Sequence, residues 1–303
     1  MIDGTAATVA ELWRYPVKSM RGERVGAADV AEAGFTGDRG FAVVDSATGK
    51  VASAKHPRLW GDLLRCEASF VEEPTEGAPL PAVSIRLPDG TETASDAPDV
   101  DARLSSLLGR AVQLTTIAPE GNAYLAVWPH IEGVIPDDLR AQIAVDAADD
   151  VEPTDGTLTG LTLGLSSPPG TFFDVAALHV LTRSTLTGLG RLQPGSEFAV
   201  ERYRPNIVIE ADVDPFAENG WAGAELVIGE RLGAAVLMPT MRCIMTTLAQ
   251  GDLPRDNGVL RAVARHNRVD LPGLGTWSCV GAYAIVTKSG RVRLGDDVEL
   301  TAA

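Results

Sequence analysis

Cysteine is scarce in this chain: Cys66, Cys243 and Cys279 are all there are in 303 residues, and they lie far apart. Three dispersed thiols make no disulfide framework, so the expectation is reduced cysteines in a cytoplasmic setting. They are too few for an iron–sulfur cluster that takes four thiolates from one chain. Histidine is nearly as rare, and His56, His130, His179 and His266 form no close pair. Without a CxxC or HExxH spacing, structural zinc is not expected. Long apolar runs are missing too, and nothing approaches the roughly eighteen uninterrupted apolar residues of a membrane span. The N-terminal MIDGTAATVAELWRYPV has no basic stretch before an apolar one, so it reads as neither signal nor transit peptide. Basic charge is the last shortage: 26 Lys and Arg stand against 41 Asp and Glu, a formal charge of −15. That balance speaks against nucleic acid and anionic membranes as partners, so an anionic ligand needs a local cluster of Lys and Arg.

What is present is the composition of a globule, 45% hydrophobic and 22% charged, long enough for one elaborated domain or two closely joined ones. The first hundred residues alternate short apolar runs with turn signals. FAVV, DSATGK and VASA predict a hairpin over residues 41–54, and VDARLSSLLGR predicts a short amphipathic helix from Val100. Residues 117–170 are acidic and turn-rich, with DDLRAQIA the one plausible helix, and make the best boundary region. Beyond them AALHVLT, NIVIEA, ELVIG and GAAVLM predict strands, and STLTGLGRL predicts a short helix. DNGVLRAVARHN predicts a helix capped by Asp256, with Val259, Leu260 and Val263 on one face and His266 and Asn267 at its end. AYAIV, KSG and VRLGDDVEL predict a closing hairpin. Short strands with few helices point to a barrel-like, mainly β architecture with flanking helices, in the α+β class.

Four segments concentrate reactive side chains. In WRYPVKSMRGE, residues 13–23, Pro16 fixes a turn after an apolar strand, and Lys18, Ser19 and Arg21 can hold an oxyanion or simply form a solvated basic turn. In GFTGDRGF, residues 34–41, three glycines allow close backbone approach around Arg39, though a bulged turn with an Asp and Arg pair is the plain alternative. It is no dinucleotide fingerprint, because the GxGxxG order is absent. ERYRPNIVIE, residues 201–210, sets Arg202, Arg204 and Asn206 at the mouth of a strand, as ligand donors or as rim charges. The stretch MRCIMTTLAQGDLPRDNGVLRAVARHN, residues 241–267, joins Arg242 and Cys243 to Thr246, Thr247, His266 and Asn267. A cysteine beside an arginine suits metal binding or sulfur transfer, while an inert core thiol is the bland alternative. No serine elbow, Walker loop or paired-carboxylate signature stands out.

Together these segments resemble the MOSC superfamily, whose branches include amidoxime-reducing components and the C-terminal domain of molybdenum cofactor sulfurases. YPVKSMRGE, GDR and VVDSATGK look like the family's N-terminal β-barrel module, and RYRPNIVIE, RCIMTT and GRVRLGDDVEL like the MOSC domain proper. The resemblance implies a MOSC-type β-barrel over residues 121–303, preceded by a smaller β-barrel-like module over residues 1–120. It also implies a molybdenum cofactor, the metal being held by the dithiolene of a phosphate-bearing molybdopterin-type pterin. Lys18, Ser19, Arg39, Arg204 and Asn206 match positions that contact the pterin and its phosphate, and Arg242, His266 and Asn267 stand at its metal end.

One departure is plain. Where the amidoxime-reducing branch places a cysteine after Arg and Gln, this chain has ARHN, so Asn267 stands in place of the thiolate. Cys243 matches the cysteine of the RC motif instead. Either Cys243 is the metal ligand and catalytic thiolate, or no protein thiolate reaches the metal, or the chain handles cofactor or sulfur without redox chemistry. The leading expectation is a protein that binds the molybdenum cofactor, and reduction of N-hydroxylated or N-oxide substrates is the activity the resemblance implies for it. Electrons would come from a separate donor protein. The rivals are a sulfur carrier with a Cys243 persulfide and a noncatalytic cofactor-binding module. No pyridoxal phosphate domain is expected, since nothing in the chain is patterned for one.

Overall fold

In the computed structural model, residues 1–2, 4–119, 123–129, 131–136, 156–162 and 171–302 are described. The helix expected over DDLRAQIA, residues 137–144, lies outside them. The N-terminal third holds β1 (Ala7–Arg14), β2 (Glu23–Val25), β3 (Ala27–Ala31), β4 (Gly34–Phe35) and β5 (Ala42–Asp45), then the one-turn helix α1 (Pro57–Trp60). It continues with β6 (Glu67–Phe70), β7 (Val83–Arg86), β8 (Glu92–Ala94), α2 (Val100–Leu108) and β9 (Val112–Thr115). After β10 (Ala123–Pro129) and β11 (Gly156–Thr162) come β12 (Leu178–Thr182), α3 (Arg183–Leu192), α4 (Val200–Tyr203) and β13 (Ile207–Ala211). The last part is β14 (Ala224–Ile228), β15 (Leu232–Met241), α5 (Asn257–His266), β16 (Arg268–Leu271), β17 (Gly275–Lys288), β18 (Gly290–Arg293) and β19 (Val298–Ala302). The architecture is mainly β with few helices, as the sequence predicts.

The principal sheet runs β19-β14-β15-β17-β12-β13-β1-β2, with β16 added onto β17. Its neighbours are antiparallel except β12 and β13, which are parallel and joined through α3 and α4. Every residue of β12 is buried, as suits a central strand covered on both faces. The first strand of the chain sits inside this sheet, with Leu12 opposite Ile207. Val9, Leu12, Val180, Ile207, Leu226 and Ala282 form its core. A second core of Met20, Val43, Trp60, Leu63, Ile85 and Leu104 lies under the small sheets β5-β9 and β6-β7-β8. Two elements follow the sequence closely: α2 stops at Gly109, in the left-handed region at φ 67°, and Asp256 caps α5 by accepting from the Gly258 amide at 2.7 Å. No helix is long and apolar enough to cross a membrane among the described residues.

Two predicted hairpins differ in the structure. The turn over residues 45–50 forms, with the Asp45 amide donating to Lys50 O at 3.0 Å, but VASA makes only the Val44–Val51 bridge, and β5 takes β9 as its full partner. VASA is drawn away because the Ala54 amide donates to Ser19 Oγ at 3.0 Å and Lys55 O accepts from the Val127 amide at 2.7 Å. At the chain end β18 pairs with β3. The 14-residue strand β17 already has β15 on one side and β12 and β16 on the other.

Candidate functional site

A cavity of ≈ 520 Å³ lies where the loop after β1, the turn between β4 and β5, residues 172–176, the α4–β13 junction and the segment after β15 converge. Lys18, Ser19, Arg39, Arg204, Asn206, Arg242 and Cys243 all line it. His266 and Asn267 are not among its lining residues. His266 is exposed on the last turn of α5. Asn267 is buried, and its amide is engaged on the protein: Nδ2 donates to Cys279 O at 2.7 Å, and Oδ1 accepts from Asn219 at 2.6 Å.

Backbone strain gathers at the cationic end of the cavity. Ser19, Arg39 and Arg204, with φ of 66°, 48° and 55°, are three of the four non-glycine residues in the left-handed region among the described residues. Such conformations cost about 1 kcal/mol or more each and persist where the surroundings over-determine them. The local reasons are visible. Arg204 closes α4 by donating its amide to Val200 O at 3.1 Å, and Pro205 then prevents further helix. The Arg39 amide donates to Tyr15 O at 2.8 Å. The guanidinium carbons of Arg204 and Arg39 lie 4.2 and 4.5 Å from the centre of the Tyr15 ring. Burial, with Arg39 close by, lowers Arg204 to about 10, so it stays charged at neutral pH.

Asp38 ties these walls together. Its carboxylate accepts from the Tyr15 amide at 2.7 Å and from Asn206 Nδ2 at 2.8 Å, and it pairs with Arg39. Asn206 Oδ1 accepts from the His179 amide at 3.1 Å. Asn206 therefore clamps strand ends as well as facing the cavity.

Beside them lies a cluster that no sequence motif announces. Asp174 accepts from Lys18 Nζ at 2.5 Å and from Lys55 Nζ at 3.0 Å. Lys18 also donates to Phe172 O at 2.9 Å, and Lys55 to the Tyr124 hydroxyl at 3.0 Å. Burial works against the Asp174 carboxylate, but the two ammoniums outweigh it and hold the group well below the usual carboxylate range. Burial lowers Lys18 to about 8, with Lys55 and Arg39 adding to the effect and Asp174 only partly offsetting it.

The opposite end is built on Arg242, which is buried and donates to Val280 O at 2.9 Å through Nε and to Tyr203 O at 3.0 Å. It also contacts His179 Nε2, which accepts, and burial together with Arg242 holds that imidazole neutral. Arg202 is likewise buried and donates to Glu197 O, Thr246 O, Leu248 O and Pro254 O at 2.8–3.2 Å, strapping α4 to the segment after Cys243. Cys243 is half-buried, the one thiol among the lining residues, and packs against the cluster that contains Trp128 and Trp277. Those two indoles meet edge to face at 5.5 Å. Tyr203 and Thr240 also line the cavity, and their buried hydroxyls have no hydrogen-bond partner. Sequence reasoning missed Lys55, Asp174 and Tyr124, which line the cavity, and Gly281, whose missing side chain leaves room for the His179 imidazole. Only Gly281 carries a local signal, a lone glycine inside a strand pattern that marks close backbone approach.

Family models match two long parts of the chain. Residues 6–110 match the model of the MOSC N-terminal beta barrel domain, and residues 169–299 match that of the MOSC domain. The chain is 25% identical over 309 residues to mitochondrial amidoxime-reducing component 1 of Homo sapiens, covering 97% of this chain and 82% of that protein. Among solved structures it aligns with the YUAD protein from Bacillus subtilis over 98% of this chain and 97% of that one, at 10% identity and a TM-score of 0.45. YiiM from Geobacillus stearothermophilus aligns over 42% of this chain and 54% of that one, at 15% identity and a TM-score of 0.26. With both domain models matched in order around a shared cavity, the chain belongs to the MOSC superfamily, whose members are associated with the molybdenum cofactor.

Proposed function

We propose that the cavity holds a molybdenum-bearing pterin by its phosphate, and that the loaded protein reduces small N-hydroxylated or N-oxide molecules with electrons from a separate donor protein. The observation that carries this reading is the convergence of Lys18, Lys55, Arg39 and Arg204 on one cavity in a chain of net charge −15. The donor set suits the group. A phosphate dianion out of bulk water needs several cationic donors at once, and a sulfur-rich metal centre prefers a soft thiolate, which Cys243 can supply. Among the described residues no three His, Cys, Asp or Glu side chains gather to hold a bare metal ion, so further ligands would arrive with the cofactor.

When bound, the cofactor supplies the two-electron chemistry that converts an N–OH group and two protons to N–H and water. The chain's own tasks are separable. Lys18, Lys55, Arg39 and Arg204 bind and orient the anionic end. Arg242 holds the backbone at Tyr203 and Val280, and so fixes the position of Cys243 beside it. Trp128, Trp277 and Met241 exclude water on the side where Cys243 packs. A second reading, a sulfur carrier, is favoured by Cys243 alone among the cysteines lining the cavity, while Cys66 and Cys279 are buried with thiols pushed up to about 12. Metal and pterin analysis of protein made in a cofactor-producing host decides between them. Near-stoichiometric molybdenum with a fluorescent pterin is expected. Less than about a tenth of an equivalent, too little occupancy for a tightly held cofactor, with a reducible one-sulfur adduct on Cys243, would move the assignment to the carrier.

A pH dependence follows from Lys18. In the ligand-free chain its ammonium is lost as pH rises through about 8, against 10.5 for an ordinary lysine. Anion affinity is therefore expected to fall on raising the pH from 7 to 9, and binding above pH 8 should take up a proton. The stability term has the opposite sign: between pH 8 and 10.5 the unfolded chain binds more protons at this residue, so the ligand-free fold gains stability there. Calorimetry of inorganic pyrophosphate binding in buffers of different ionisation enthalpy measures both affinity and proton uptake. Pyrophosphate affinity that is flat from pH 7 to 9 would remove Lys18 from the anion site.

A further inference from the structure

The cationic end of the cavity already contains a carboxylate where a ligand's anion has to bind. Asp174 bridges the two ammoniums of Lys18 and Lys55 at 2.5 and 3.0 Å, and its side chain is still 26% exposed. It is the one carboxylate lining the cavity among the described residues. It lies on the irregular stretch ahead of β12, where no strand or helix fixes its backbone. The remaining cations nearby are partly engaged: Arg39 pairs with Asp38, and Arg204 donates to Met20 O at 2.6 Å. The Lys18–Asp174–Lys55 cluster therefore carries a net charge of only plus one.

We propose that Asp174 is the specificity-determining residue of this anion site: it occupies the two lysines as an internal monoanion, so that only a dianionic group, such as a phosphate monoester, binds in competition with it. The physical reason is an exchange. A ligand bearing one negative charge gains from the lysines no more than Asp174 loses, while giving up its own hydration. A dianion adds a second charge to the same pair of ammoniums, and an interaction between close charges in a partly desolvated site is strong enough to decide the competition. Monoanionic sulfonates and carboxylates are thereby refused. The inference rests on the cavity being an anion site, as in the function proposed above, but needs no molybdenum.

The test compares phenyl phosphate with benzenesulfonate, which share a body and differ in charge at pH 7, where the phosphate is largely dianionic and Lys18 is still protonated. Binding of each to the full chain is measured by calorimetry at fixed ionic strength. Wild type is expected to prefer phenyl phosphate by about tenfold or more, the scale of one unneutralised charge in such a site. Asp174→Asn is expected to tighten benzenesulfonate by about tenfold or more, from little or no binding in wild type, since the competing charge is gone while the amide keeps the shape; phenyl phosphate tightens as well, because the same competition is lifted for it. Benzenesulfonate binding that is unchanged or weaker in Asp174→Asn, or no binding of phenyl phosphate to wild type, would overturn the proposal and leave Asp174 as a support for the lysines. Should Asp174→Asn fail to fold because two ammoniums face each other, Lys55→Gln combined with Asp174→Asn restores the cluster charge of plus one. The double variant is expected to bind benzenesulfonate more tightly than wild type does, and failure to do so overturns the proposal equally. Metal analysis of the wild type reads the molybdenum assignment independently, so the two ideas fail separately.

Discussion

Replacing Cys243 with serine is expected to lower the molybdenum recovered per pterin by at least about tenfold, the scale of exchanging a soft thiolate for a hard hydroxyl at a sulfur-rich metal. The substitution changes one atom at a half-buried position, so folding should be affected little. The phosphate end of the ligand is untouched, because Lys18, Lys55, Arg39 and Arg204 belong to other segments that also line the cavity. Pterin should therefore stay while metal is lost, and the ratio of the two is the quantity to measure, by elemental analysis and pterin fluorescence on the same sample. Asn267 does not take over in this picture. Its amide is held by Cys279 O and Asn219, and turning it inward would break both bonds at a buried position. Full molybdenum in Cys243→Ser would mean that the metal takes no thiolate from this chain, since neither Cys66 nor Cys279 is a lining residue.

The basic clusters could be read from sequence because each sits next to a backbone-shaping residue. Lys18 and Ser19 follow Pro16, Arg39 lies between glycines, and Arg204 precedes Pro205. Those neighbours force a turn at the end of a strand or, for Arg204, of a helix, and a turn is where a side chain can leave its element and face a ligand. Asp174 has no such neighbour, and Lys55, although Pro57 opens a helix two residues on, follows no turn that aims it at Asp174, so a lysine in VASAKHP or an aspartate in TFFDVAAL looks like any solvated charge. Only the tertiary fold brings those two loops together, through the Ser19 hydroxyl on the Ala54 amide and the Lys18 ammonium on Phe172 O. His266 and Asn267 lie outside the lining for the converse reason. Their place in sequence, after the RC motif and a helix, suggests a ligand position, while the helix end uses Asn267 to clamp β17. The final hairpin failed similarly: KSG is a sound local turn signal, yet β18 pairs with β3, which no local pattern can name.

Charge gives a second view of the same division. The excess of 41 acidic over 26 basic residues is set by the whole chain, while function depends on where a few cations are buried. Arg202 and Arg242 illustrate the difference between presence and availability. Both line the cavity, but their donors go to backbone carbonyls, so they shape the walls more than they neutralise a ligand. Lys18 and Lys55 are held by a carboxylate that a stronger anion can replace, which makes them the more available charges.

Gly281→Ala is expected to destabilise the fold by about 3 kcal/mol or more, at the upper end for a single added methyl, because the clash falls on backbone. Gly281 has φ 74°, and a Cβ there would lie 2.5 Å from Val180 O and closer still to His179 Nε2. Val180 belongs to β12, which pairs with β17 at Ala282 and with β13 at Ile207, so the sheet cannot retreat on either side. The imidazole could swing away, but only by leaving Arg242, whose other donors hold Tyr203 O and Val280 O beside Cys243. Loss of stability should therefore come with loss of anion and metal binding together. Urea unfolding followed by circular dichroism measures the first, and a midpoint near that of the wild type would show that this close packing is not a constraint. Gly190→Ala in α3 is the matched control, since no atom lies within 4 Å of its added Cβ and its backbone is helical. There the methyl should raise stability by about 0.5–1 kcal/mol through the unfolded state, so opposite signs for one chemical change separate packing at the site from the general effect of glycine.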